Sequence, residues 1–97
     1  MSELISYHLE DGIATLTLSN GKVNAISPDV IAAFNSALDQ AVQDKAIVII
    51  TGQPGILSGG YDLKVMTSSP QNAVALVTAG STLARRMLSH PHPIIVA

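Results

Sequence analysis

Ninety-seven residues suffice for one small domain but are short for a complete enzyme enclosing a deep site, and 47% apolar against 12% charged residues implies burial against further chain or a partner. A formal net charge of -2 with five Lys and Arg supplies no basic field for nucleic acid or an anionic membrane surface. The lack of cysteine excludes disulfides, thiolate metal sites and cysteine nucleophiles. The first residues show no basic stretch followed by an apolar core, so no secretory leader is expected, and no apolar run reaches the roughly 18 residues of a membrane helix, so a cytoplasmic protein without a membrane partner is expected.

In chain order, residues 4–9 and 13–18 alternate apolar with polar, the second run clearly, and Asp11-Gly12 between them is a tight-turn pair. That pattern predicts a β-hairpin. Ser19-Asn20-Gly21-Lys22 is turn chemistry, and Ser27-Pro28-Asp29 joins a capping serine, a proline suited to the first helical position and an acid favoured by the helix dipole. Val30, Ile31, Phe34, Leu38, Ala41 and Val42 then share one face of a helix running to about Lys45. Residues 46–51 form a continuous β-branched run, the pattern of a strand covered on both faces. After a Gly52-Gln53-Pro54-Gly55 loop, Ser69-Pro70 opens a second helix whose apolar positions are Val74, Leu76, Val77, Leu83, Met87 and Leu88. His90-Pro91-His92-Pro93 ends it, and Ile94-Ile95-Val96-Ala97 begins another buried strand. The order is that of an α/β fold with at least two parallel strands.

The stretch from Gly55 to Lys64 lies where a strand feeds a helix, the place where ligands collect in open α/β sheets. Glycines permit backbone conformations closed to other residues, and free amides at a helix start suit an anion or a carbonyl oxygen gaining charge. The stretch Gly55 to Tyr61 is therefore a candidate donor cradle, against the plainer reading of a β-α turn with no ligand. It is not a nucleotide fingerprint, since neither Gly-x-Gly-x-x-Gly nor Gly-Lys-Ser/Thr is present.

The Leu57 to Lys64 run, apolar-Ser-Gly-Gly-aromatic-Asp-Leu-Lys, resembles the central motif of the crotonase superfamily, the enoyl-CoA hydratases and isomerases. The strand at Ile13–Leu18 resembles that family's opening "gvatitln" strand, Lys22 to Ser27 its "kaLNAls" turn, and His92 to Ala97 its "kPviAa" segment. The similarity covers the whole chain. It implies a crotonase-like spiral of ββα-type units on a mostly parallel sheet, with residues 1–97 as the N-terminal part of a single domain. It further implies that the backbone N–H of Tyr61 is one of two oxyanion-hole donors to the thioester oxygen of an acyl-CoA. Lys22, Val23, Asn24, Gly60, Tyr61, Asp62, Leu63 and Lys64 would line the coenzyme A path, mostly through backbone groups. Coenzyme A enters as the substrate thioester, with no separate cofactor, and the assembly implied is a homotrimer or hexamer. The family's second donor and its acid and base carboxylates fall beyond residue 97.

Taken singly, these residues also have plainer readings. Asp62 beside a helix start reads as a cap and Ser58 as a small packing residue. Lys22 and Lys64 read as surface lysines or as contacts to coenzyme A phosphates, and Arg85-Arg86 as complement to a helix C-terminus. His8 alternates on a hairpin strand and His90 and His92 sit among prolines, so no metal centre is expected of the three histidines. Two alternatives of other classes are a signalling module of the anti-sigma-factor-antagonist type, phosphorylated on Ser58, and an inactive fragment.

Overall fold

A computed structural model of the chain describes residues 4–21, 24–53, 57, 58 and 60–96. β1 (Ile5–Glu10) and β2 (Ile13–Leu18) form an antiparallel hairpin, α1 (Pro28–Gln43) follows, and β3 (Ile47–Thr51) lies parallel to β2. A short α2 (Leu63–Ser68) and a long α3 (Pro70–Leu88) lead to β4 (Ile94–Val96), which is parallel to β3. The sheet order is β1-β2-β3-β4. Mixed α/β architecture with a mostly parallel sheet is as the sequence predicts. Among the described residues no helix is long and apolar enough to cross a membrane.

Local chemistry accounts for the boundaries. Asp11 and Gly12 both have positive φ, 52° and 77°, the conformation of a type I′ turn, whose twist matches that of the flanking strands. Ser27 caps α1 by accepting from Val30 N, and Ser69 caps α3 by accepting from Asn72 N. α1 stops two residues short of the predicted end, because Lys45 turns left-handed at φ 53°. Its amide donates to Val42 O and that of Ala46 to Ala41 O, the paired bonds of a Schellman ending.

One core joins the inner sheet residues Ala14, Leu16, Leu18, Val48 and Ile50 to Val30, Ile31, Phe34 and Leu38 of α1 and Leu76 and Leu83 of α3. The expectation that β3 is covered on both faces is not met. Val48 and Ile50 are buried, but Ile47 and Ile49 face outward, continued sideways by Ile13 and Ile95. β4, expected to be buried, has Ile95 and Val96 more than half exposed, since it is the last strand of the sheet. Val42, Val74, Val77 and Leu88 are likewise exposed, so their place in an apolar helical repeat does not put them in the core. Arg86, expected to complement a helix end, also reaches across to Asn35 Oδ1 at 3.1 Å and pairs with Asp39, tying α3 to α1.

Tyr7 gives the hairpin a tie to α1. Its hydroxyl donates to Asp44 Oδ2 at 2.7 Å, at the helix C-cap. Burial first, then the bond to Asp44 and its negative charge, push the phenol from 10.0 to about 12. The unfolded chain loses this proton near pH 10 while the folded chain holds it to about pH 12. The contribution is therefore intact below pH 10 and is lost as pH rises through that window. Tyr7→Phe is expected to be less stable than wild type at neutral pH and to lose less stability between pH 10 and 12, a difference that urea titrations across that range would read.

Candidate functional site

The turn after β2 is organised around Asn24, which is fully buried and left-handed at φ 50°. Its Oδ1 accepts from Asn20 N at 2.7 Å and Gln53 Nε2 at 2.8 Å, and its Nδ2 donates to Leu18 O at 3.0 Å and Leu57 O at 3.2 Å. Four bonds fill the capacity of a side-chain amide. Its carbonyl accepts from Ser58 Oγ at 2.7 Å, and the same Oγ accepts from Gly60 N at 3.0 Å. Two segments more than thirty residues apart in sequence are thus held together by one asparagine and one serine. The Asn24 side chain is turned into the protein, and Ser58 serves the loop rather than standing as a free hydroxyl.

The amides of the loop can be followed one by one. Gly60 N is engaged by Ser58 Oγ, Asp62 N donates to Ile26 O at 2.7 Å, and Lys64 N and Val65 N donate to Asp62 Oδ1. Asp62 is the cap of α2, as its plainer reading predicts. The broad cradle of free helix-start amides is accordingly narrowed, because Asp62 occupies two of them. Tyr61 N and Leu63 N find no acceptor among the described residues. Tyr61 is held in a parallel bridge with Ile26, in which Ile26 N donates to Gly60 O at 2.7 Å and Ile26 O accepts from Asp62 N. A residue bracketed in this way has its own N–H and C=O turned to the opposite side. Gly60 permits this with φ 102°, a conformation that side chains disfavour.

The loop borders an apolar cavity of about 320 Å³ at the C-terminal ends of the parallel strands, lined by Leu18, Ile50 and Val96 of the sheet, by Leu57, Ser58, Gly60 and Tyr61, and by Gly80, Leu83 and Met87 of α3. Lys64 borders a different hollow, of about 570 Å³, with Pro28, Val65, Asn72 and Leu76. The predicted residues therefore divide: Gly60 and Tyr61 line the first hollow, Lys64 the second, and Leu63 projects into solvent at 76% exposure. Lys22 and Val23, together with Gly55, Ile56 and Gly59, lie outside the described residues. Sequence reasoning missed Gln53, which supports Asn24, and Gly80, whose only sequence signal is a glycine inside a helix.

A family model for enoyl-CoA hydratase/isomerase matches residues 8–97. The chain belongs to that family. A probable enoyl-CoA hydratase of Bacillus subtilis (strain 168) is 35% identical over 97 residues, covering 96% of this chain and 38% of that protein. Among solved structures, an enoyl-CoA hydratase/isomerase family protein from Pseudomonas syringae is 81% identical with a TM-score of 0.96, over 97% of this chain and 41% of that one. An enoyl-CoA isomerase of Mycobacterium tuberculosis is 40% identical with a TM-score of 0.90, over 99% of this chain and 42% of that one. The chain thus spans about two fifths of the length of these relatives. Neither the family match nor these relatives support a signalling module.

Proposed function

We propose that this chain supplies the first oxyanion donor, the N–H of Tyr61, and part of the ligand path of an enzyme acting on an enoyl-CoA or a related acyl-CoA. The observation that carries this reading is the bracketing of Tyr61: its neighbours' ladder bonds to Ile26 turn its own peptide outward beside an apolar cavity. Hydration of a conjugated thioester and migration of its double bond both pass through an enolate-like species with charge on the thioester oxygen. A donor fixed before reaction stabilises that charge without reorganising, which lowers the barrier. Rigidity is what the loop provides, through Asn24, Ser58 and the Ile26 ladder.

Gly60, Tyr61, Asp62, Leu63 and Lys64, with Lys22 and Val23, form the coenzyme A path in this proposal, while Asn24, being fully buried, supports that path from behind rather than lining it, and a second donor and the acid and base carboxylates come from chain beyond residue 97. Coenzyme A is carried by the substrate. Assembly as a trimer or a pair of trimers belongs to the same reading, supported by apolar surface such as Val74 and Leu88, 66% and 88% exposed. Titrating the full-length protein with butyryl- and octanoyl-CoA in a calorimeter is expected to give saturable binding. Heats no larger than those of dilution for both ligands would remove the proposal.

A further inference from the structure

Gly80 stands in the interior of α3, where glycine is less favourable than alanine by about 1 kcal/mol. The geometry shows what occupies the missing side chain's space. A Cβ built on Gly80 would lie 2.9 Å from Tyr61 Cε1 and 3.0 Å from its Cζ, with the hydroxyl oxygen closer still. The tip of the Tyr61 ring therefore rests in a notch that only glycine leaves open. Both residues line the 320 Å³ cavity, whose other α3 residues Leu83, Ala84 and Met87 are apolar.

We propose that Tyr61 and Gly80 act as a pair that sets the length of acyl chain the cavity accepts, the ring forming a wall and the notch fixing how far that wall is withdrawn. This rests on the acyl-CoA reading above. One residue then carries two separable functions: its main-chain N–H faces the thioester oxygen and its side chain bounds the apolar tail. Alanine at position 80 meets the far end of a side chain that can swing, so the fold can absorb the change by moving the ring off α3 and across the cavity. Removing the ring joins its volume to the cavity. Because one methylene more or less in an apolar pocket changes selectivity about tenfold or more, such displacements are readable.

The test compares binding of butyryl-, octanoyl- and dodecanoyl-CoA to the full-length protein by calorimetry. Tyr61→Ala is expected to raise the dodecanoyl-to-butyryl affinity ratio by about tenfold, and Gly80→Ala to lower it several-fold. In the double variant no ring remains to meet the new methyl group, so its ratio should return to that of Tyr61→Ala, a non-additivity that two independent wall residues would not produce. If wild type and Tyr61→Ala bind all three ligands with the same ratio, the pair does not set chain length, although the acyl-CoA reading stands. If none of the three binds to wild type, both fall. Should Gly80→Ala fail to fold, the ratio in Tyr61→Ala and its preservation in the double variant decide the matter.

Discussion

Replacing the amide of Tyr61 by an ester, through incorporation of the corresponding hydroxy acid in the full-length protein, is expected to reduce turnover of an enoyl-CoA by about a hundredfold or more. The exchange removes the N–H and keeps the side chain, so the wall of the cavity is unaltered. Stability should fall by only about 1 kcal/mol, because the lost N–H has no acceptor among the described residues and the penalty comes from Gly60 O, which as an ester carbonyl accepts more weakly from Ile26 N. A large loss of kcat with a small loss of stability is the signature of a donor that works in the transition state. An ester variant that turns over enoyl-CoA as fast as wild type would show that this N–H is not the donor.

The second large effect lies behind the site. Asn24→Ala is expected to destabilise the full-length protein by about 4 kcal/mol, read as a shift of the urea midpoint at constant slope. Two donors, Asn20 N and Gln53 Nε2, and two acceptors, Leu18 O and Leu57 O, would lose their partner at a fully buried position. Alanine would also have to adopt φ 50°, which accounts for about 1 kcal/mol of the total. Asn24→Gly keeps that conformation accessible, so it should recover about that much and no more. If Asn24→Ala unfolds within 1 kcal/mol of wild type, the asparagine is not the hub its bonds describe.

The elements legible in sequence are those whose cause is local. Asp11-Gly12, Ser27-Pro28 and Ser69-Pro70 each carry a turn or a cap within three residues, and each stands where the pattern predicts. Helical spacing identified the face of α1 that holds Val30, Phe34 and Leu38, but spacing reports only that residues share a side. It misplaced Val42 and Leu88 because burial depends on what packs above them. Likewise, the β-branched run at 46–51 implied two covered faces, and α1 and α3 cover only one.

At the site, the motif pointed to residues 57–64 through resemblance. It did not disclose which amides would be free, because that depends on Ile26 and Ser58 meeting across the fold. Asn24 was legible as a turn residue and illegible as a buried one, since two of its four partners, Gln53 and Leu57, are 29 and 33 residues away. The contact of Tyr61 with Gly80 is of the same kind: nothing in either neighbourhood signals the other.

The two-residue turn between β1 and β2 reaches further than its size suggests. Side chains along a strand alternate with a period of two, so a turn lengthened by a single residue would invert the phase of every residue after it. β2 pairs with β1 on one edge and β3 on the other, which makes its phase the common reference for the sheet. Inverted, it would send Ala14, Leu16 and Leu18 into solvent and bring Thr15 and Thr17 inside, and Leu18 would no longer floor the cavity. The parity of a hairpin loop more than forty residues upstream of Tyr61 thus decides whether there is any hollow for that residue to border.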